Sequence, residues 1–165
     1  MLKNKKILIT GIANKFSIAN GIAQSMSKNG AELAFAYQNE RLLKKIKPIA
    51  DDLGVKTLIE CDVSCDQSIE QTFSQIKDEW GTLDGIVHSI GFAPSDQLDG
   101  DFTEVTTREG FKIAHDISSY SFTALAKGAL PILSDNAALL TLTYLGSVQS
   151  LPNYNVMGLA KASLE

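Results

Sequence analysis

The chain has 165 residues, of which 44% are hydrophobic and 21% charged, a composition typical of one globular domain with a substantial core. Its 15 basic residues are scattered among 19 acidic ones, and the formal charge of −4 argues against nucleic acid as a partner. No apolar run approaches the roughly 20 residues that cross a bilayer, and the opening lysines precede only a short apolar run, so we expect neither a membrane span nor a signal peptide.

A compact apolar run, KILIT at Lys6–Thr10, predicts a first strand that is buried on both faces and ends at Gly11. A helical pattern follows and ends at Gly30, with apolar residues at helical spacing: Ile18, Ile22, Ala23 and Met26. A strand, a glycine turn and a helix in this order are typical of dinucleotide binding, with the pyrophosphate at the helix N-terminus.

The glycine pattern of this turn is incomplete. Gly11 and Gly21 are ten residues apart, so G-x-G-x-x-G is absent, and a plain strand-to-helix turn is an equal alternative. Ser17 stands where the helix is expected to begin, so its hydroxyl either caps the helix or faces a cofactor. The turn therefore gives a weak indication of dinucleotide binding when it is taken alone.

The second predicted strand, Glu32–Tyr37, ends at Gln38, a position that selects between nicotinamide cofactors in this type of fold. An acidic residue there accepts bonds from the adenine ribose, and an arginine receives a 2′-phosphate. Because Gln38 is neutral, this position leaves NADH and NADPH both open. The helix predicted next, Glu40–Leu53, contains Pro48, which argues for a kink or a break.

A third strand over residues 56–60 leads to Asp62, whose carboxylate can either bond an adenine amine or cap the following helix, Asp66–Trp80. Two cysteines, Cys61 and Cys65, flank this aspartate. Because no second cluster could pair with them, they favour a reducing compartment, and we expect a cytoplasmic protein. A metal site formed by Cys61, Asp62 and Cys65 is an alternative, but we expect no metal.

The fourth predicted strand covers residues 85–89 and is followed by Ile90 and Gly91. A glycine directly after a buried strand lets the backbone approach a flat ring closely. The polar stretch 95–107 predicts a loop over the crevice at the strand ends. These residues would therefore cover a bound ring system.

A long helix is predicted over residues 109–127, and its many serines and threonines predict a face that contacts another subunit. The fifth strand, 138–143, delivers Tyr144 to the carboxyl edge of the sheet. Five strands alternating with helices predict an α/β fold, a Rossmann-like doubly wound parallel sheet. Because such a sheet normally continues past its fifth strand, we expect residues 1–165 to form a single dinucleotide-binding domain that lacks its C-terminal strands and helices.

Two residues near the end of the sequence predict chemistry. Tyr154 and Lys161 are seven residues apart, so on one helix they lie on nearly the same face, separated by a rise of roughly 10.5 Å. A phenol and an ammonium in this arrangement can hold two parts of one ligand, such as a reacting carbonyl and a ribose. An arbitrary tyrosine and lysine at this spacing are more often a half-buried tyrosine and a solvated lysine with no shared ligand.

Longer segments carry a family resemblance: HSIGFAPSDQLDGD at 88–101, TREGFKIAHDISSYSF at 107–122, and PNYNVMGLAKASLE at the end of the sequence. They resemble the NADH-dependent enoyl-acyl carrier protein reductases of type II fatty acid synthesis, a divergent branch of the short-chain dehydrogenase/reductase superfamily. The wider superfamily places a lysine four residues after the tyrosine, where this sequence has Gly158. The longer spacing from Tyr154 to Lys161 belongs to the enoyl reductase branch.

The resemblance implies hydride transfer from NADH, with NADPH less favoured, to C3 of a trans-2-enoyl thioester of acyl carrier protein, in the last step of the elongation cycle. It implies a catalytic set in which Tyr154 stabilises the enolate oxygen, Lys161 holds the nicotinamide ribose and Tyr144 shapes the substrate side. The implied cofactor-binding residues are Gly11, Ser17, Ile18, Gln38, Asp62, Val63, Ile90 and Lys161. The implied substrate-binding residues are Ala93, Tyr144 and Tyr154, and a homotetramer is also implied.

Two alternatives stay open at this point. A short-chain dehydrogenase that reduces a ketone or oxidises an alcohol would need the lysine at four-residue spacing. A non-catalytic nucleotide-binding protein would bind the cofactor without turnover.

Overall fold

The computed structural model describes every residue from Met1 to Glu165. The chain forms two compact units. The first, the sheet unit, consists of Met1–Ser89 and Leu125–Thr141, and the second, the tyrosine unit, consists of Ile90–Ala124 and Leu142–Glu165. None of the helices combines the length and the apolar character needed to span a bilayer.

The sheet unit is built on five parallel strands. They are β1 (Lys6–Thr10), β2 (Glu32–Tyr37), β3 (Thr57–Glu60), β4 (Leu83–His88) and β5 (Leu133–Thr141). Their spatial order is β3-β2-β1-β4-β5, so the chain moves outward from β1 to β3 and then returns past β1 to β4. In a doubly wound sheet, ligands bind at the carboxyl ends of the strands where the order reverses. The expected Rossmann-like parallel sheet is confirmed.

Three helices alternate with the strands of the sheet unit: α1 (Ile18–Lys28), α2 (Glu40–Leu53) and α3 (Asp66–Trp80). The central strands are apolar without alternation because both of their faces are covered, and Ile9 and Phe35 are fully buried. Ala23 of α1 and Ile46 of α2 pack in the same core cluster as these two residues. The apolar periodicity of the helices therefore predicts the face that packs on the sheet.

The helix predicted over Glu40–Leu53 is confirmed with the same bounds. Of the kink or break for which Pro48 argues, the break is wrong, because α2 continues through Pro48 to Leu53. A proline lacks the N–H that would bond the carbonyl four residues back, here that of Lys44. Pro48 and Lys44 are both exposed, so water can bond this carbonyl. Ile46 and Ala50, on the other side of the helix, are fully buried and hold it against the core.

Strand β5 begins at Leu133 and ends at Thr141, whereas the sequence predicts 138–143. It pairs only with β4 and forms one edge of the sheet. The first part of the strand contains the polar residues Asp135 and Asn136, so the hydrophobicity pattern does not indicate a strand there. Both residues are exposed, and polar side chains are tolerated on an edge strand. The bounds of β3 and β4 differ from the predicted ones by one or two residues.

The stretch predicted as a loop over residues 95–107 contains two short helices instead, a 3₁₀ turn (Ser95–Gln97) and α4 (Phe102–Val105). Asp101 starts α4 by accepting a bond from the Thr103 N–H at 2.9 Å. Elements of three or four residues are too short to show a periodicity, which is why the sequence pattern misses them.

The long helix of the sequence prediction consists of three parts: α5 (Arg108–His115), a π-helical segment (Asp116–Tyr120) and α6 (Ser121–Ala129). Its serine content does not by itself mark a subunit contact, because Ser118 and Ser121 are fully buried inside this chain. The last helix of the tyrosine unit, α7 (Asn155–Leu164), packs on α5 through a cluster of buried residues: Ala114, Val156, Met157 and Ala160.

Candidate active site

The turn after β1 requires a glycine. Gly11 has φ = 81°, and a Cβ placed on it would lie only 1.8 Å from the carbonyl oxygen of Ser89. Any other residue would therefore need both a left-handed backbone and a shift of the neighbouring chain. The turn leads to the N-terminus of α1, where the N–H groups of Ile18 and Ala19 precede the first hydrogen bond of the helix.

Ser17 does not cap α1, although it stands at the cap position. Its Oγ accepts hydrogen bonds from the N–H groups of Ala13 and Asn14, at 3.0 and 3.1 Å, and so closes the turn on itself. The serine hydroxyl keeps its own proton for donation to a ligand. In the first turn of the helix, the carbonyl oxygen of the Asn20 side chain is buried without a partner. This oxygen is an acceptor, so the donors that the region offers to an anionic group are the N–H groups of Ile18 and Ala19 and the Ser17 hydroxyl.

The ends of β2 and β3 carry the other predicted cofactor residues of the sheet unit. Gln38 is exposed, whereas Asp62 and Val63 are half-buried. The Asp62 carboxylate accepts bonds from the N–H and the hydroxyl of Ser64, at 3.0 and 2.7 Å. Cys65, not Asp62, occupies the cap position of α3, so the helix-cap alternative for Asp62 is wrong. No group of three or more His, Cys, Asp or Glu side chains is placed to hold a metal ion.

Tyr154 directly precedes α7 and its ring is fixed from two sides. A Cβ on Gly146 would lie 2.3 Å from Cδ1 of the ring, so the ring packs against a bare backbone. The ring of Tyr144 meets it edge-on, with centroids 5.1 Å apart. Burial, and to a smaller extent the charge of Tyr144, raises the pKa of the Tyr154 phenol. The phenol is therefore a protonated donor at neutral pH.

Lys161 is a buried cation, with only 6% of its surface exposed. Its Nζ donates to the carbonyl oxygens of Ile90 at 3.2 Å and Leu142 at 2.9 Å, and no carboxylate forms an ion pair with it. Burial lowers the pKa of this ammonium. An ammonium has three N–H donors and the two carbonyls use two of them, so one donor is left for a ligand.

The position four residues after Tyr154 cannot carry a side chain in this structure. A Cβ on Gly158 would lie 2.8 Å from the carbonyl oxygen of Gly146 and 3.7 Å from Cδ1 of the Tyr154 ring. A lysine at this position would therefore push away the loop that supports the ring. This contact argues against the ketone or alcohol dehydrogenase that needs its lysine there.

A cavity of about 340 Å³ lies beside Tyr154 in the tyrosine unit. Its lining combines apolar side chains with the small residues of α7 and of the loop before it: Phe102, Gly146, Val148, Leu151, Gly158 and Leu159. The Tyr154 hydroxyl makes no hydrogen bond within the protein. The ring thus borders a space of mixed polar and apolar lining, which also includes Ser147, Gln149, Ser150 and Asn155.

The predicted site residues divide between the two units. The sheet unit contains Gly11, Ser17, Ile18, Gln38, Asp62 and Val63, and the tyrosine unit contains Ile90, Ala93, Tyr144, Tyr154 and Lys161. Within the tyrosine unit the structure brings Tyr144 to Tyr154 and Ile90 to Lys161, while Ala93 packs against the buried cluster of α5 and α7. Sequence reasoning gave Gly146 no role, since its signal is only a glycine eight residues before Tyr154.

The sequence comparisons with known proteins all match the same family over nearly the whole chain. The sequence profile of the family described as Enoyl-(Acyl carrier protein) reductase matches residues 11–165. The enoyl-[acyl-carrier-protein] reductase [NADH] FabI of Escherichia coli (strain K12) is 58% identical over 164 residues, covering 99% of this chain and 63% of that protein. The enzyme of the same name from Haemophilus influenzae is 53% identical with the same coverage. The chain thus spans about 63% of the length of these curated relatives.

Solved structures give the same result for the fold. The enoyl-[acyl-carrier-protein] reductase (NADH) from Aquifex aeolicus VF5 superposes with a TM-score of 0.96 at 47% identity, covering 99% of this chain and 65% of that one. The reductase from Anaplasma phagocytophilum, solved in complex with NAD, superposes with a TM-score of 0.95 at 40% identity, covering 99% and 62%. A family match over nearly the whole chain, together with this backbone agreement, shows that the chain belongs to the enoyl-acyl carrier protein reductase family.

Proposed function

We propose that the protein reduces the trans-2 double bond of enoyl thioesters of acyl carrier protein with NADH. The observation that carries this proposal is the buried Lys161, which has no acidic partner and one unused donor. An unpaired buried cation is costly to fold, and such groups occur mainly at functional sites. In the proposal, the third N–H of Lys161 bonds the hydroxyls of the nicotinamide ribose.

The residues of the sheet unit fit the rest of the cofactor. Gly11 leaves room for a close approach, and the N-terminus of α1 with Ser17 and Ile18 supplies donors for the pyrophosphate. Gln38 bonds the adenosine ribose, while Asp62 and Val63 contact the adenine. The Asp62 carboxylate suits the adenine amine, since Ser64 holds it in a fixed orientation. NADH is proposed over NADPH because the curated relatives are named as NADH enzymes, whereas the neutral Gln38 by itself selects neither cofactor.

When bound, the nicotinamide supplies a hydride to C3 of the substrate. Negative charge then develops on the thioester carbonyl oxygen, and Tyr154 donates a hydrogen bond to it. Donors of this type are worth roughly 2.7 to 4 kcal/mol in comparable oxyanion sites. The raised pKa of Tyr154 supports this role because the phenol keeps its proton. Ile90 lines the nicotinamide side, and Tyr144 and Ala93 line the substrate side.

The location and assembly of the protein are part of the same proposal. Both cysteines are free thiols, which supports a cytoplasmic location. A homotetramer is proposed from the family and from the exposed aromatic residues Phe111 and Tyr120 on the long helix. Light scattering on the full-length protein tests the tetramer, and a monomer would contradict it.

The test of the reaction is loss of NADH absorbance with crotonyl thioester, using the full-length protein. We expect turnover with this substrate and NADH, and little or none with acetoacetyl thioester and NADPH. The opposite preference would support a ketone reductase. NADH binding without turnover on enoyl thioesters of several chain lengths would support a non-catalytic nucleotide-binding protein.

A further inference from the structure

A serine hydroxyl inside the tyrosine unit holds the loop that precedes it in sequence. Ser118 lies in the middle of the π-helical segment and is fully buried. Its Oγ accepts a bond from the N–H of Phe92 at 2.8 Å and donates to the carbonyl of the same residue at 2.9 Å. One side chain thus satisfies both backbone groups of one loop residue and fixes the position of that part of the loop.

The π-helical segment that contains Ser118 interrupts the long helix between α5 and α6. Its turn contains one residue more than an α-helical turn, so α6 continues about 100° out of phase with α5. Segments of this kind interrupt regular hydrogen bonding and are found frequently at functional sites. In this segment, the Ser118 side chain bonds a loop residue that lies 26 positions earlier in the sequence and not its own helix.

The loop held by Ser118 supplies one of the two carbonyls that bind Lys161. Ile90, whose carbonyl oxygen lies 3.2 Å from Nζ, is two residues before Phe92. Between them, a Cβ on Gly91 would lie 3.5 Å from Nζ and 3.4 Å from Cε of Met157. Loop, lysine and methionine are therefore in contact, and a small shift of the loop would move the acceptor of Lys161.

Ser118 also touches the helix that carries the lysine. Its Oγ lies 3.5 Å from Sδ of Met157, which is one turn before Lys161 in α7. A sulfur acceptor is weak, so the serine proton goes mainly to the Phe92 carbonyl. The hydroxyl thus lies at the junction of the loop and α7, the two elements that set the position of Nζ.

We propose that Ser118 is a positioning residue for Lys161: by clamping Phe92 through both backbone groups, it holds the Ile90 carbonyl where the ammonium needs its acceptor. The inference rests on the proposed function, since it assumes that Lys161 binds the cofactor. Ser118 itself touches no reacting atom in this assignment. Its effect reaches the cofactor only through the loop and the lysine.

The test compares Ser118→Ala with Ser119→Ala in the full-length protein. Ser119 is the next residue in the π-helical segment, and its hydroxyl bonds Ser163 rather than the loop. We expect Ser118→Ala to weaken NADH binding about tenfold, because a displaced Lys161 would weaken its charge-assisted hydrogen bond to the ribose. We expect kcat at saturating NADH to change much less, and Ser119→Ala to behave as the wild type.

A second readout separates positioning from general destabilisation. Burial alone lowers the pKa of Lys161, with no charged neighbour contributing, so a loosened loop that admits water should raise it. The loss of NADH binding at alkaline pH should then move to higher pH in Ser118→Ala. Labelling of Lys161 by an amine-reactive reagent, at a pH where the amine is neutral in both the wild type and the variant, should increase in Ser118→Ala because the amine is more accessible. Peptide mass spectrometry measures this labelling, which needs no NADH.

Equal NADH affinity, pH profile and Lys161 labelling in the two alanine variants would overturn the proposal. If Ser118→Ala does not unfold cooperatively, Ser118→Cys replaces it, because a thiol has nearly the same shape but bonds weakly. Failure of both variants to fold would assign Ser118 a structural role and also overturn the proposal. Absence of NADH turnover in the wild type would instead contradict the proposed function, and the labelling experiment would still decide the role of Ser118.

Discussion

At the scale of single residues, the site depends on two polar groups whose pKa values are shifted by burial, Tyr154 and Lys161. Burial raises the pKa of Tyr154, so the phenol stays a donor. Burial lowers the pKa of Lys161, whose ammonium bonds two carbonyl oxygens and no carboxylate. The two residues lie near opposite ends of α7, as their spacing predicts. Each can therefore be tested separately.

Replacing Tyr154 by phenylalanine removes the donor and keeps the ring that packs on Gly146. We expect kcat for enoyl thioester reduction to fall roughly 100-fold or more, as for loss of one oxyanion donor, with NADH affinity little changed. The matched variant is Tyr144→Phe, which removes a hydroxyl from the neighbouring, more exposed ring and should have a much smaller effect. Equal losses in steady-state kinetics of the two variants would contradict the role of Tyr154.

Lys161 predicts a pH dependence of cofactor binding. Because burial lowers its pKa below the ordinary 10.5, the ammonium loses its charge as the pH rises through that lowered value. NADH affinity should fall over the same range, and Lys161→Met should bind NADH weakly at every pH without this alkaline loss. Fluorescence titration of NADH checks this, with Lys45→Met on the exposed side of α2 as the control. Normal affinity in Lys161→Met would rule out the ribose role.

At the scale of elements, buried side chains with long-range bonds decide where short segments lie. Gln97 is buried, and its Oε1 accepts bonds from the N–H of Thr107 at 2.8 Å and from its hydroxyl at 3.0 Å. Thr107 in turn caps α5 by accepting from the N–H of Gly110. This arrangement joins the 3₁₀ turn to the start of α5, and it leaves no room beside Gly110.

Gly110→Ala should destabilise the protein, because the new methyl carbon would lie 2.1 Å from Oε1 of Gln97. Forcing a buried side chain aside typically costs about 1 to 3 kcal/mol. Gly21→Ala is the matched control in α1, where a Cβ meets nothing within 4 Å. This second change should stabilise the protein by about 0.5 to 1 kcal/mol, the usual gain in a helix interior. Thermal unfolding of both variants tests this, and a stabilised Gly110→Ala would contradict the close packing of Gln97 against Gly110.

At the scale of the whole molecule, the sheet unit is held together by groups far apart in sequence. Asp84 in β4 accepts bonds from Nζ of Lys5 at 2.8 Å, from the N–H of Lys6 at 3.0 Å and from the hydroxyl of Ser134 at 2.8 Å. One carboxylate therefore ties β4 to the strands on both sides of it. Burial raises its pKa, but these three bonds and the charge of Lys5 outweigh that effect, so the pKa is lowered.

Asp84→Ala should lower the free energy of unfolding by about 2 kcal/mol at neutral pH, since hydrogen bonds to a charged group are lost. The stabilisation from a carboxylate with a lowered pKa is complete above its ordinary value of 3.8 and disappears as the pH falls through the lowered value. The difference from the wild type should therefore shrink in strong acid. Urea unfolding at several pH values measures it, with the exposed Asp52→Ala as control. If the difference in free energy of unfolding did not change with pH, the loss in Asp84→Ala would come from packing and not from the charge.

The sequence by itself determined the type and order of the main elements, because hydrophobic periodicity is local. It also indicated the family, through segments that are more specific than any single motif, and it placed Tyr154 at the start of the helix that carries Lys161. Of the alternatives that it left open, the structure contradicts a break at Pro48 and Asp62 as a helix cap. Both alternatives follow from local sequence rules, and contacts with residues elsewhere in the protein override these rules.

Only the tertiary structure decided what each polar side chain bonds. Three contacts depend on specific geometry. The Ser17 hydroxyl bonds its own loop, Gly158 has no room for a side chain, and Ser118 bonds both backbone groups of Phe92. The physical reason is that a hydrogen bond or a clash is fixed within a few tenths of an ångström by residues distant in sequence. A periodic pattern specifies the face of an element but not the neighbour that the face will meet.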